Sequence, residues 1–402
     1  MSRKPVFIPL TRGSPRVRLQ CSVVLALGVG TALPGTAAHS VPPNYRVDVI
    51  GEQLTGFDMN ESGTAVGRKL SPTQVGRAFV APRGEAVQLL PTPKQWTSSD
   101  AYAISANGII VGAVSIQSIA TIGSHAAAWF PSESGYSFAL LPPLLGDTFS
   151  AAFGVNDHGD IVGGSGGLGL GLYPRPVQFT TTQATELAGI STPADVNDNR
   201  VVVASNQLLD LNTMSISTIA LPPGNWQGFV SFDISNVGNV CGYVAGYSGC
   251  STFPVRHIAA GDWEFVGGCA TTTAANSVND LGDAVAYVAN SGVWASFTGE
   301  VNVSLGALIA PSEGSWLMTG ASTITNRREI LASGRVGSDP VTKLIRMAPP
   351  LVEDLDGDGR VNASDLALLL DVWGSAGGQA DIDGDGAVGA SDLSRILAGW
   401  TR

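Results

Sequence analysis

The stretch VNDHGDIVG, residues 155–163, recurs in variant form along most of the 402-residue chain. A copy begins with an apolar residue, continues through a short polar segment that usually ends in glycine, and closes with apolar residues and Gly or Ala. The other six copies are MNESGTAVG at 59, ISANGIIVG at 104, VNDNRVVVA at 196, ISNVGNVCG at 234, VNDLGDAVA at 278 and ITNRREILA at 324. Successive copies start 38 to 51 residues apart, a period that indicates a repeat architecture.

Each copy has the pattern of a β-hairpin. A turn rich in Asn and Asp, closed by a glycine that can adopt positive φ, joins two strands of small and β-branched residues. Arg200 and Arg328 replace that glycine in two copies, so we expect either a strained residue or another loop type there. A second pair of strands follows most copies, as in HAAAWFP at 125–131 and FALLPP at 138–143. Four strands per repeat of this length are typical of propeller blades.

The two ends of the repeat region predict how a ring would close. The seventh copy stops after a strand at 344–347 and lacks its outermost partner, whereas YRVDVIG at 45–51 has no assigned neighbour. We expect this N-terminal strand to complete the last blade. Residues 39–347 are therefore predicted to form an all-β, seven-bladed β-propeller. An open β-solenoid is the alternative, and it would leave two unpaired edges.

The first 38 residues have the pattern of a signal peptide. Basic residues precede an apolar run at 21–33, and the small residues at 36–38 predict cleavage before His39. No other stretch is long and apolar enough to span a membrane, so we expect an extracellular or cell-surface protein. The net charge of −11 and the absence of a Lys/Arg run after the leader argue against a nucleic-acid partner.

Three cysteines remain after the predicted cleavage, an odd number for an oxidising compartment. A bridge from Cys241 to Cys250 or from Cys250 to Cys269 would staple a local hairpin. Three buried free thiols are the alternative.

Two nearly matching loops, DLDGDGRVNASDL at 354–366 and DIDGDGAVGASDL at 381–393, concentrate aspartate near the C-terminus. Calcium loops of the EF-hand kind place oxygen ligands at positions 1, 3, 5, 7, 9 and 12, with glycine at 6. The sequence therefore predicts two calcium ions. The expected ligands are Asp354, Asp356, Asp358, the carbonyl of Arg360, Asn362 and Asp365 in the first loop, and Asp381, Asp383, Asp385, the carbonyl of Ala387 and Asp392 in the second, where Gly389 leaves position 9 to water.

Each loop runs directly into an apolar helix, and position 12 is Asp rather than Glu. With these features, the region resembles a type I dockerin module, which we assign to residues 348–402 together with its linker. The resemblance implies attachment to a cohesin-like protein or a cell-surface component. It also implies partner contacts at loop positions 10 and 11, which are Ala363, Ser364, Ala390 and Ser391. We expect the helices to pack through Leu366, Leu369, Leu370, Trp373, Leu393, Ile396 and Trp400.

The repeat region has its own family resemblance. VNDHGDIVG at 155 and HAAAWF at 125 are similar to the extracellular HAF-type repeats of bacterial proteins. That resemblance implies an exported scaffold and no particular reaction.

No catalytic residue is predicted. GGSGG at 163–167 fits the nucleophile pattern G-x-S-x-G around Ser165, but no helix pattern follows it. The four histidines, at 39, 125, 158 and 257, lack metal-ligand spacing. Asp233, Asp280 and Asp283 are interpreted as turn formers, although acids from separate blades can meet in a propeller's mouth.

Two hypotheses of function follow. The first is a non-enzymatic secreted or surface protein held by its calcium-loaded module. The second is a secreted carbohydrate-active enzyme with its site, and a carbohydrate ligand, in the propeller mouth. Two convergent carboxylates in that mouth would favour the second.

Overall fold

A computed structural model describes residues 44–71, 75–116, 124–167, 175–246, 252–259, 261–268, 273–300, 302–356 and 361–400. The predicted signal peptide, Cys250, Cys269, Asp358 and Arg360 lie outside these ranges. Within them, no helix is both long and apolar enough to cross a membrane. Cys241 is fully buried, and its thiol donates a hydrogen bond to the carbonyl oxygen of Ala275 at 3.3 Å.

Seven antiparallel four-stranded sheets form the blades of a β-propeller in the described chain. Blade 1 comprises β2 (Leu54–Met59), β3 (Ala65–Leu70), β4 (Gly76–Ala81) and β5 (Gln88–Leu89), and blade 2 comprises β6 (Ser98–Ile104), β7 (Ile110–Ser115), β8 (Ser124–Ser132) and β9 (Gly135–Leu140). Blade 3 comprises β10 (Phe149–Val155), β11 (Ile161–Gly166), β12 (Arg175–Phe179) and β13 (Ala184–Glu186), and blade 4 comprises β14 (Asp195–Val196), β15 (Val201–Ala204), β16 (Gln207–Asp210) and β17 (Ser215–Thr218). Blade 5 comprises β18 (Trp226–Ile234), β19 (Val240–Gly246), β20 (Thr252–His257) and β21 (Trp263–Phe265). Blade 6 comprises β22 (Thr273–Val278), β23 (Ala284–Val288), β24 (Gly292–Ser296) and β25 (Val303–Ser304). Blade 7 comprises β26 (Trp316–Ile324), β27 (Ile330–Val336) and β28 (Lys343–Ala348) together with β1 (Arg46–Glu52). A single helical turn, α1 (Leu305–Leu308), and a 3₁₀ turn, Pro311–Glu313, connect blades 6 and 7.

The nine-residue template forms the hairpin between the first two strands of each blade. Its second residue, Asn156 in blade 3, accepts hydrogen bonds from the backbone N–H groups of His158 and Asp160 at 3.1 and 2.9 Å, which closes its own turn. The same side chain donates to the Asn197 carbonyl of the next blade at 2.9 Å. Asparagines at the equivalent position also donate to the next blade, from Asn60 to Ser105, Asn197 to Ser235 and Asn279 to Thr325. The template asparagine therefore joins neighbouring blades.

The third and fourth residues of the template link the hairpin turns around the ring. A backbone N–H of one turn donates to a side chain of the next, over 2.7 to 3.2 Å. The acceptors are Asp157, Asp198, Asn236, Asp280, Asn326 and Glu61. Asp280 thus lies in a hairpin turn, and its carboxylate accepts from the Val237 N–H of the neighbouring turn at 3.2 Å.

The last template residue is glycine where the inner strands approach closely. A Cβ atom on Gly112 would lie 2.0 Å from the carbonyl oxygen of Asp100, and one on Gly163 would lie 2.0 Å from that of Ala151. Real Cβ atoms do not approach backbone oxygens that closely, so only glycine is accommodated at these two positions without a backbone shift.

The two turns without glycine keep the hairpin and place arginine at positive φ. Arg200 has φ of 63° and Arg328 has φ of 62°, a conformation that costs free energy for a residue with a side chain. Each guanidinium lies against an acid of the preceding blade, with Nε 2.8 Å from a carboxylate oxygen of Asp160 or Asp283. These ion pairs between blades offset the strain.

The N-terminal strand closes the ring, as predicted. β1 pairs antiparallel with β28, from Arg46 opposite Ala348 to Glu52 opposite Lys343. Tyr45 is fully buried beside α1, and its backbone N–H donates to the Leu308 carbonyl at 2.7 Å. The solenoid alternative is wrong, because the outermost strand of the last blade comes from the start of the repeat region.

The C-terminal region contains helices α2 (Ala363–Asp371) and α3 (Ala390–Ala398) around a small apolar core. That core consists of Val361, Leu369, Ala380, Val388 and Ile396, with Leu355, Leu366, Ile382 and Leu393 packed against it. The expectation that Leu370, Trp373 and Trp400 are core residues was wrong, since each is 39–52% exposed. Both tryptophans come after their helices end, and Leu370 follows the buried Leu369 onto another face.

Candidate metal centre

The first acidic loop brings three carboxylates together. One oxygen from each of Asp354, Asp356 and Asp365 lies within 4.8 Å of the others. Asp365 is fully buried, and its carboxylate accepts hydrogen bonds from the backbone N–H groups of Leu355 at 2.7 Å and Asn362 at 2.8 Å. Asn362 in turn caps α2 by accepting from the backbone of Ser364. The loop and the helix start are thus one hydrogen-bonded unit.

The second loop brings Asp381, Asp383 and Asp385 within the same 4.8 Å. One oxygen of Asp381 accepts from the backbone N–H of Gly386 at 3.0 Å, whereas the other is buried with no hydrogen-bond partner. Gly386 has φ of 96°, which provides the sharp turn that position 6 requires. A buried carboxylate oxygen without a donor, beside two further carboxylates, fits a hard cation with oxygen ligands.

Position 12 has the same environment in both loops. Asp392, like Asp365, is fully buried and accepts from the backbone N–H groups of positions 2, 3 and 9. These hydrogen bonds, that from Gly389 most strongly, hold the pKa of Asp392 below its usual range. The repeated loops are therefore structurally equivalent where the sequence repeats.

The predicted partner residues lie at the solvent-exposed starts of the two helices. Ala363 and Ser364 begin α2, and Ala390 and Ser391 begin α3. Sequence reasoning missed a second feature of this surface, since large apolar side chains on and just after the helices are exposed. They are Leu368, Leu370, Val372, Trp373, Leu397 and Trp400.

An ion pair connects the first loop to the propeller. The guanidinium of Arg46, on β1, lies 3.1 Å from a carboxylate oxygen of Asp354. Position 1 of the first calcium loop therefore contacts the strand that closes the ring.

A second acidic region lies in the cavity at the centre of the propeller, where the first strand of every blade contributes lining residues. Asp58, Asp195 and Asp233 each stand directly before a template copy and face this cavity. Asp58 accepts from the Ile104 N–H of the next blade at 2.9 Å, and Asp233 accepts from Val278 at 2.9 Å.

The environment of these acids disfavours their charged forms. Burial raises the pKa of Asp58 to about 6. Burial, together with the charge of Asp233 and a hydrogen bond with it, raises the pKa of Asp195 well above its usual range. The residue before each template copy is Asp in three of seven cases, and this alignment would have revealed the cluster.

The interpretation of Asp233 as a turn former was wrong, because it lies within β18 and faces the cavity. Asp283 is fully buried and forms an ion pair with Arg328.

Ser165 is fully buried on β11, and its hydroxyl donates to Asp147 at 2.7 Å. His125 and His257 contact Trp96 and Trp263, in different blades.

Comparison with known proteins identifies the C-terminal region. Residues 352–397 match the family model of the dockerin type I domain. No curated protein matches the chain. The solved structure of YCF48 bound to D1 peptide matches with 9% identity and a TM-score of 0.40, covering 77% of this chain and 99% of that one, a likeness too low to carry an argument. The C-terminal region is therefore a type I dockerin module, and its cofactor is calcium.

Proposed function

We propose, from the type I dockerin module that follows the propeller, that this chain is a secreted or cell-surface, non-enzymatic repeat protein. The module holds it by calcium-dependent binding to a cohesin-like protein or another surface component. The family match over residues 352–397 carries this proposal, and the two equivalent acidic loops support it. The repeat domain, which resembles HAF-type repeats, is the part presented outside the cell.

The calcium ligands follow the loop positions. For the first ion we propose Asp354, Asp356, Asp365 and Asn362, with Asp358 and the Arg360 carbonyl assigned from sequence spacing alone. For the second ion we propose Asp381, Asp383, Asp385, the Ala387 carbonyl and Asp392. A bound calcium ion neutralises the clustered carboxylates, so ion binding contributes to the folding free energy of the module. Asp365 and Asp392 tie each loop to its helix by their backbone hydrogen bonds.

The partner is proposed to contact the starts of α2 and α3. Ala363 and Ser364 match Ala390 and Ser391 in residue type and exposure, so either helix can present the same surface. The exposed apolar side chains near both helices, including Trp373 and Trp400, provide area that a partner can bury. Asp371 and Ala398 stand where the family commonly has basic residues, which makes this face less cationic.

Paired substitutions test this surface. Ser364→Asp and Ser391→Asp each place a charge at the second residue of a helix, where an acid is favourable to the helix itself. Because the repeats are equivalent, each single variant should bind an immobilised cohesin panel almost as the unmodified chain does. The double variant should lose about 30-fold in affinity or more, as expected for removal of a central contact.

Ser217→Asp, on the exposed outer strand β17, is the matched control and should bind normally. Equal binding by the double variant and this control would contradict the proposed contact surface. Export is tested separately by N-terminal sequencing of the secreted protein, whose first residue we expect to be His39.

The central cavity favours a second candidate, a carbohydrate-active enzyme, because acids from separate blades meet there. Glycoside hydrolysis uses two carboxyl groups roughly 5–9.5 Å apart, and Asp58, Asp195 and Asp233 are carboxyl groups from separate blades that line this cavity. Hydrolysis of a polysaccharide panel by the unmodified chain, abolished in Asp233→Asn, would establish the enzyme in place of the scaffold.

A further inference from the structure

The central cavity has aromatic walls. It encloses about 240 Å³ and is lined by the side chains of Phe57, Tyr102, Phe153 and Phe232 from four different blades. The rings of Phe57 and Tyr102 lie 5.5 Å apart between centroids, and those of Tyr102 and Phe153 lie 6.0 Å apart. Phe232 is 41% exposed within this lining. Exposed aromatic rings in a concave site indicate a ligand, since a purely structural ring would be packed away from water.

The charged side chains that line the same cavity are acidic. Among the residues that the structure describes, five acids and no basic residue line it; the acids are Asp58, Glu61, Asp195, Asp233 and Asp280. Low-dielectric walls concentrate the field of such charges, so the cavity attracts cations and repels anions. Glu61 and Asp280 belong to the hairpin turns, whereas the other three acids lie deeper, on the first strands of their blades.

The carboxylate arrangement favours an organic cation over a metal ion. Within the described residues, the acidic groups that bring three ligand atoms within 4.8 Å are both in the C-terminal loops, and the cavity acids form no such group. Asp58 and Asp233 also use oxygens to accept backbone hydrogen bonds from the next blade. Aromatic faces attract ammonium groups through their quadrupole. We propose that the central cavity binds an alkylammonium ligand, with its charged end between Asp195 and Asp233 and its alkyl chain along the aromatic wall.

The protonation of the cavity acids should make the affinity for the ligand depend on pH. Burial, with the charge of Asp233 beside it, raises the pKa of Asp195 well above its usual range, so this carboxyl group favours its protonated form in the empty cavity. An ammonium group placed beside it supplies compensating positive charge, so the proton of Asp195 is released to solvent on binding. Asp58, Glu61 and Asp280 are the other acids that line the site, and the phenol of Tyr102 lines it as well. Affinity should therefore increase as the pH rises from 5 to 8.

Isothermal titration of the full chain in saturating calcium tests the proposal. Cadaverine is the probe, Nα-acetyl-lysine amide represents a lysine side chain of a peptide, and 1,5-pentanediol is the uncharged control. Cadaverine should bind with release of a proton, seen as a dependence of the heat on the buffer, and pentanediol should not bind. Tighter binding of the lysine compound would identify a peptide source, and tighter binding of cadaverine a free amine.

Variants locate the site. Asp195→Asn and Asp233→Asn should each weaken cadaverine binding about tenfold or more, and Phe232→Ala should weaken it less. An asparagine at 233 still offers an oxygen to the Val278 N–H, so folding is preserved. Asp262→Asn changes the same charge at an exposed position of the same blade and should bind as the unmodified chain does.

Three results would overturn the proposal. They are the absence of cadaverine binding at millimolar concentration, unchanged binding in both aspartate variants, and one-to-one displacement of cadaverine when calcium is raised further above the concentration that saturates the dockerin module. The last would assign the cavity to an inorganic cation. None of these results bears on the dockerin module, whose partner binding is measured separately.

Discussion

Removal of calcium should unfold the C-terminal module and leave the propeller intact. In the second loop the carboxylate oxygens of Asp381, Asp383 and Asp385 lie within 4.8 Å of one another. Two unit charges at that separation repel by about 1 kcal/mol in water and about 3.5 kcal/mol at an effective dielectric constant of about 20. Asp381 and Asp383 lie between buried and exposed, whereas Asp385 is exposed, so the three pairs oppose folding by roughly 3–10 kcal/mol. Net stability is about 0.1 kcal/mol per residue, so repulsion of this size is comparable with or larger than the roughly 5 kcal/mol expected for a module of about 50 residues.

Hydrogen exchange read by mass spectrometry separates the two parts of the chain. With EGTA, peptides covering α2 and α3 should lose their protection, while peptides from the blades keep theirs. Added calcium should restore the protection, and added magnesium should not restore it to the same extent, because magnesium demands smaller, octahedral sites. Protection of both helices that persists in EGTA would show that the module folds without calcium.

A charge variant separates repulsion from simple loss of a ligand. Asp383→Asn removes two of the three repelling pairs in the second loop. In EGTA its helices should be more protected than those of the unmodified chain, although its calcium affinity should be lower. Asp371→Asn, which makes the same charge change outside the loops, should show neither effect.

Three further predictions concern the propeller. Asn156→Ala removes a buried side chain that makes three hydrogen bonds to backbone groups, so it should lower the free energy of unfolding by about 3–5 kcal/mol. Asn107→Ala, at an exposed position, should lower it by less than about 1 kcal/mol. Equal losses for the two variants in urea unfolding would contradict the role of the template asparagine. Because burial raises the pKa of Asp58 to about 6, the folded state binds more protons than the unfolded state between about pH 4 and 6, so stability should fall by up to about 3 kcal/mol as pH rises through this window. Asp58→Asn should remove that component of a pH series of thermal melts, and an unchanged series would contradict it. Tyr45→Ala should lower the free energy of unfolding by about 3–5 kcal/mol, because it leaves a cavity where the ring closes. Val49→Ala, at an exposed position of the adjoining strand β1, should have little effect on the melting temperature. Similar shifts of the melting temperature for the two variants would contradict the role of Tyr45 in ring closure.

The repeat sequence predicts the blades because each template residue has a local role that recurs. The polar turn, the positive-φ position and the closely approaching glycine are all needed within one hairpin, so their spacing is visible along the chain. The unpaired strand at Tyr45 likewise follows from counting strands per repeat. Arg200 and Arg328 show the limit of this reasoning, because their compensating partners, Asp160 and Asp283, belong to the neighbouring blade.

The calcium loops are equally visible in sequence, since their ligands are local and their spacing is fixed by the ion. The central cavity is visible only in part, as the Asp that precedes three template copies, because its acids come from blades 1, 4, 5 and 6 and meet only when the ring closes. Trp373 and Trp400 illustrate another limit, as their side chains become exposed where the helices stop, and helix ends depend on the loop packing. Sequence therefore predicts the module's metal chemistry residue by residue, whereas contacts between repeats require the folded ring.

Attachment through the calcium-loaded module is tested most directly by partner capture with the full secreted chain, measured on immobilised cohesins and on cell-surface fractions with calcium and with EGTA. We predict binding in calcium, release in EGTA, recovery when calcium is restored, and no binding by a chain that ends at Pro350. Binding that survives EGTA, or that persists in the chain ending at Pro350, would contradict attachment through the calcium-loaded module.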